Sequence, residues 1–173
     1  MMVILAAAMM MGCSKKIDFH EEVLLSDGTK IKINRFDHLR RACESFSCDW
    51  ALDFSEIQIE GARYVSWKKR LIPLLLDKYR DRYFLITTIS SCRDKEFGNP
   101  KPAYIQFELT ESGWIKSEFN PIFYGRTANL LIAPDWDAGE VRMIDVPTKE
   151  SRNKMAGVPK FLKTLSPVTI NNC

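Results

Sequence analysis

A mainly β fold, an antiparallel sandwich or meander of hairpins with a short C-terminal helix, is the architecture that this 173-residue sequence predicts. Three observations carry it. Apolar and polar residues alternate with a period of two, as in Ile57-Gln58-Ile59-Glu60, the mark of a half-buried strand. Turn residues punctuate the short apolar runs, at Asp27-Gly28, Gly61 and Gly113. The best helical stretch, TKESRNKMAGVPKFLKTLSP, lies near the end. Many short strands joined by turns favour neighbouring antiparallel pairs.

Taken in order, EVLLSDGTKIKINRF reads as a hairpin, with Asp27-Gly28 supplying the positive φ angles of a type I′ turn. HLRRACESFSCDW reads as a short helical turn near residues 38–42, then a small loop. LDFSEIQIEGARYVSWKK gives two strands around Gly61. RLIPLLLDKYRDRYFLITTISSC is the most apolar part, with central strands expected over 74–76 and 83–89 and DKYRDR between them. Pro73 suits the start of the first of these rather than its middle. AYIQFELTESGWIKSEF is a further hairpin over Glu111-Ser112-Gly113. ANLLIAPDWDAGEVRMIDV adds one or two short strands across a polar loop. Pro159 suits the first turn of a short helix and Pro167 its end. Lys149, Arg152, Lys154, Lys160 and Lys163 fit the solvated face of that region.

The first 13 residues, MMVILAAAMMMGC, pose a separate problem. The apolar run 3–11 is too short to span a bilayer, which needs about 20 residues, and it lacks strand alternation. Its length suits the apolar region of a secretory signal. Met10-Met11-Gly12-Cys13 resembles the lipobox of bacterial lipoproteins. That resemblance implies diacylglyceryl transfer to the Cys13 thiol, cleavage before it and acylation of the new amine. The chain has no Lys or Arg before Lys15, so a basic segment is expected upstream of Met1. Ser14 after the lipidated cysteine implies, by the rule of that class, delivery to the outer membrane, facing the periplasm. The organisation expected is a signal peptide over 1–12, a lipidated N-terminus and short linker over 13–21, and one β-rich domain over 22–173.

Removal of the signal leaves about 160 residues, enough for one domain with a proper core. The net charge of +3 is too mild to argue for nucleic acid. Setting Cys13 aside leaves Cys43, Cys48, Cys92 and Cys173. An even remainder in an exported chain suggests two disulfides, for which three pairings exist. Cys43–Cys48 and Cys92–Cys173 are favoured, the first closing a short loop and the second pinning the chain end. The long closure contributes roughly 4 kcal/mol in the chain-entropy model.

The order of features is also similar to a set of small proteobacterial lipoproteins without assigned activity. They share an LSDGTKIKI-like hairpin after the lipid cysteine, a YFLITTISSC-like strand and a YIQFELTESGWIKSEF-like hairpin. An ANLLI-like strand and a C-terminal cysteine complete the likeness. Cys43 and Cys48 lie outside that pattern. The likeness implies a class and a compartment, and no chemistry.

The search for catalytic groups is largely negative. His20-Glu21-Glu22 starts like the zinc motif HExxH, but Leu24 stands at its last position. His20 and His38 are not spaced for tetrahedral zinc, and no CxxC pair exists. His38 beside Asp37 fits a solvated loop better than a general base. Asp135, Asp137 and Glu140 around Gly139 read as an acidic turn rather than a calcium loop. No metal and no cofactor are expected. The one candidate recognition patch is Trp67 with Lys68, Lys69 and Arg70, since Trp and Arg favour interface hot spots.

The function expected is therefore a non-enzymatic binding or structural module of the cell envelope, tethered through Cys13 and facing an envelope protein or cell-wall component. An envelope hydrolase is the first alternative. The second is an inhibitor or exclusion factor against a foreign protein, whose mark would be a protruding rigid loop such as CESFSC.

Overall fold

The computed structural model describes residues 14–61, apart from 45 and 46, and then 66–89, 96–97, 100–132, 143–155 and 158–167. Among the described residues nine strands form two sheets. β1 (Ser14–Leu24), β2 (Lys30–Glu44), β3 (Ser47–Ile59), β4 (Trp67–Lys69) and β9 (Met143–Ile144) make one sheet in the order β4-β3-β2-β1-β9. β5 (Leu71–Tyr79), β6 (Arg82–Ile89), β7 (Ile105–Thr110) and β8 (Gly113–Ser117) follow one another across the second. All pairs are antiparallel except the short edge contact of β9 with β1. The mainly β prediction holds, and helices α1 (Val146–Asn153) and α2 (Lys160–Lys163) come last, as expected.

Burial explains the two kinds of strand. In β1, Phe19, Glu21 and Val23 face inward while the residues between them are half-exposed, so this sheet has one wet face. β5 and β6 instead carry continuous buried runs, because both faces of their sheet are covered. On one side Leu71, Leu76, Leu85 and Phe107 meet Val23, Ile33, Ile57 and Trp67 of the first sheet. On the other, Leu74, Phe84, Ile86 and Tyr104 meet Phe123, Leu162 and Leu165 of the C-terminal region. Tyr104 fastens this layer. Its hydroxyl donates to Phe161 O at 2.9 Å and accepts from Ser166 N at 3.0 Å.

Several expectations are corrected. Residues 38–42 are not helical; they continue β2, which runs to Glu44 and pairs with β3 from Ile33 onward. Residues 14–21 are strand rather than linker, with Phe19 2% exposed. The β1–β2 turn is not type I′. Gly28 N donates to Leu25 O at 3.1 Å, and within this turn Gly28 has the positive φ, at 84°, giving a type I turn closed by a left-handed glycine. β5 is an edge strand, not a central one. α2 ends at Lys163, before Pro167, because Thr164 turns extended to bridge Thr127.

The ANLLI stretch is also no strand. Leu130, Leu131 and Ile132 are all buried, yet they enter three different apolar clusters, which straight alternation does not allow. The segment instead caps the open edge of β5. Asn129 N and Leu130 N both donate to Leu74 O at 3.1 Å. The Asn129 carboxamide accepts from Leu76 N at 2.9 Å and donates to Leu76 O and Leu24 O. One side chain thus imitates a neighbouring strand and ties it to the end of β1.

The β5–β6 hairpin turns through Arg80 and Asp81, both with positive φ, 49° and 62°, as in a type I′ turn. Arg80 does not suit that region, and Asp81 tolerates it less well than glycine. The double substitution Arg80→Asn, Asp81→Gly should stabilise the protein by about 1 kcal/mol, since the exposed Lys78–Asp81 pair that it removes contributes less. A higher urea midpoint with an unchanged m-value is the expected result.

Candidate functional site

Two polar arrangements stand out, one sealed inside and one on the surface. The inner one is built on alternate residues of neighbouring strands. Glu21 on β1 and Arg35 and Asp37 on β2 point inward, all at most 1% exposed. Arg35 donates to Glu21 at 3.0 Å and to Asp37 at 3.1 Å, and Ser55 on β3 donates to Asp37 at 2.6 Å. Lys149 enters from α1. Its ammonium lies 3.3 Å from Glu21 and donates to Glu22 O at 2.6 Å. Burial pushes that ammonium below the usual lysine range, against the pull of Glu21.

This cluster receives the buried irregular segment. Arg35 donates to Leu131 O at 2.5 Å, Glu21 accepts from Leu131 N at 3.0 Å, and Asn153 bonds Ile132 N and Leu130 O. Backbone groups sealed away from water need such partners. α1 is positioned for the task by its Asp145 cap, which accepts from Thr148 N at 3.0 Å, and by Pro147 in its first turn. Lys149 and Asn153, four residues apart, then share one face. Two cations balance two carboxylates here and each has a direct partner, so the arrangement is a lock rather than a poised acid or base. The solvated-face reading of Lys149 is corrected, since its side chain is 2% exposed.

The outer face of the first sheet carries rings paired with cations. His38 stacks on Phe54 with centroids 3.9 Å apart, and Lys68 lies 4.2 Å over the same Phe54 ring. Lys16 sits 4.3 Å over Phe36, while Lys15, on the opposite face of the sheet beside the buried Leu39, is 6.0 Å from the Trp50 ring. Partial burial and then the charges of Lys68 and Lys16 hold the His38 imidazole below its ordinary value. Such cation–ring contacts at exposed sites are worth about 0.5–1 kcal/mol each, and they stiffen side chains that would otherwise be mobile. This row can bind, through ring faces and ammonium groups.

The predicted patch divides. Trp67 is 1% exposed and packs edge-on against Phe107 at 5.6 Å, so it is core and not recognition surface. The alternation of β4 puts Lys68 outward, where it joins the Phe54 ring. Lys69 pairs with Glu96 at 3.5 Å, and Arg70 contacts Asp53. His20 lies on β1, 3.6 Å from Glu60. Cys43 and Cys48 face each other across β2 and β3 and form the predicted disulfide. Cys13, Cys92, Cys173 and the acidic turn at Asp135, Asp137 and Glu140 lie outside the described residues. Among the described residues no group of three His, Cys, Asp or Glu side chains is arranged to hold a metal ion. Phe36 and Phe54 were missed because outward rings in a sheet resemble core positions until the register is known, and His38, read as part of a solvated loop, lies instead on β2 opposite Phe54.

Glu21→Gln should destabilise the protein by about 3–5 kcal/mol, because it leaves buried cations short of a partner charge. Glu60→Gln, at an exposed pair, should change the urea midpoint little. The His38 effect has a definite sign. The unfolded imidazole takes its proton near pH 6.5, whereas the folded one resists until lower pH. This contribution to stability is full above that range and falls as pH drops through it, and His38→Gln should flatten the loss in urea titrations. No protein family matches the chain, and neither a curated protein nor a solved structure is similar to it at a significant level.

Proposed function

We propose that the protein is a lipid-anchored envelope domain, held at the periplasmic face of the outer membrane through Cys13, that works by binding rather than by catalysis. The observation that carries this reading is the apolar run ending in Met10-Met11-Gly12-Cys13. The Cys43–Cys48 disulfide supports it, since such bonds persist in oxidising compartments. The described structure holds no helix long and apolar enough to cross a membrane. Three chains at one cysteine hold firmly, at about 0.8 kcal/mol for each buried CH₂. The cation–ring row of Lys16, Phe36, His38, Phe54 and Lys68 is the surface offered to an envelope protein or cell-wall component.

A second reading has one observation in its favour. The Cys43–Cys48 disulfide joins the paired ends of β2 and β3, and such a bond suits an inhibitor that presents a rigid loop to a foreign protein.

The test is the intact mass of the membrane-fraction protein, expressed from an extended upstream start, with and without reduction. A triacylated chain beginning at Cys13 is expected. Reduction should add two hydrogens for Cys43–Cys48 and two more where Cys92 and Cys173 are joined. An unprocessed chain with free thiols would overturn the proposal.

A further inference from the structure

We infer that the end of the β2–β3 ribbon is a membrane-contacting finger that seats Trp50, Arg41 and Lys15 among the anionic headgroups of the bilayer holding the anchor. The inference rests on the lipidation of Cys13 proposed above. It begins from register. The described pairing of β1 starts at Ser14, opposite Arg40, while β2 and β3 continue together through Arg41↔Trp50, Ala42↔Asp49, Cys43↔Cys48 and Glu44↔Ser47. Past Arg40, this ribbon has no further strand neighbour among the described residues. Cys13 is bonded to Ser14, so its Cα lies within about 3.8 Å of that residue. Since Ser14 stands opposite Arg40, the Arg41↔Trp50 level is the furthest that one residue reaches along the ribbon, and three more residue pairs extend beyond it.

At about 3.3 Å per residue those pairs reach roughly 10 Å past the anchor when β1 stands upright. The headgroup layer of one leaflet is only about 5–7 Å thick. With the strand starting directly after the acylated residue, no spacer exists to lift the ribbon clear. Its end must meet lipid.

Its chemistry suits that meeting. Arg41 and Trp50 are directly opposite each other and so share a face. Lys15 reaches the Trp50 ring from β1 on the same side, and the Cys43–Cys48 disulfide lies two positions further out. Arg41 and Cys48 are exposed and Trp50 is half-exposed. A tryptophan flanked by cations is the pattern of an interfacial anchor. Around it, residues 14–16 and 40–50 carry Lys15, Lys16, Arg40 and Arg41 against Glu44 and Asp49, so the excess is positive. The disulfide keeps the strands together where no third strand among the described residues supports them.

The experiment uses the full lipidated chain in vesicles of phosphatidylethanolamine and phosphatidylglycerol, with plain or brominated acyl chains. The emission of Trp50 is isolated as the difference between the protein and its Trp50→Phe variant. We expect this difference to be shifted to shorter wavelength and to lose most of its intensity over brominated chains. Lys15→Glu/Arg41→Glu should undo both effects. The mass of the same preparation separates the two proposals. A triacylated protein whose Trp50 is unquenched overturns the finger alone and returns the ribbon to a protein partner. A preparation without acyl chains overturns the anchor and the finger with it.

Discussion

Four charges sealed beneath the first sheet hold the rest of the molecule in place. Glu21, Arg35, Asp37 and Lys149 sum to zero, and each finds a partner at hydrogen-bonding distance. A cluster of this kind is an uncertain source of stability, because desolvation costs about as much as attraction returns. Its value is in what it lets the chain do. The segment 130–132 crosses the interior without regular structure, and buried backbone of that sort is tolerable only where side chains meet its polar groups. Glu21, Arg35 and Asn153 meet them. With that segment fixed, Asn129 can cover the edge of β5, Leu130 can enter the sandwich, and α1 can dock on a polar face.

What the sequence made legible was local. The hairpins, the short Cys43–Cys48 bridge and the helical C-terminal region all follow from residues near one another in the chain. What escaped it depended on partners far away. Arg40 and Arg41 looked unlike strand because β2 is wet on both faces there, so burial imposes no alternation. Lys149 looked like a surface cation, yet its partner Glu21 is 128 residues distant. Trp67 looked like a recognition residue because three cations follow it, and only the pairing of β4 with β3 shows that its ring fills the sandwich. ANLLI had a strand's composition and took the role of a cap, since its three apolar residues answer to three separate clusters.

Both faces of the second sheet are covered, which leaves the outer face of the first as the open sheet surface of the described fold. Flat sheet faces bind through what their alternate residues project. Here those are rings on β2 and β3 held under ammonium groups from the flanking β1 and β4, with carboxylates such as Glu56 among them. Mixed charge at close spacing argues against a purely electrostatic partner such as nucleic acid, which rewards a single sign. It fits a partner with both apolar area and polar groups, as a protein or a glycan has.

The start of β1 at Ser14 bears on how such a surface would be used. A flexible tether lets an anchored domain sample every orientation, so that any face can meet a partner. Here Ser14 is already paired to Arg40, and Phe19 is buried five residues later. A lipid at Cys13 would therefore keep the start of β1, and with it one end of the whole first sheet, close to the bilayer. The sheet would stand away from the bilayer with its outer face turned sideways, toward neighbours in the same membrane. Such an attachment would present an ordinary exposed face laterally and would favour partners held in the same membrane.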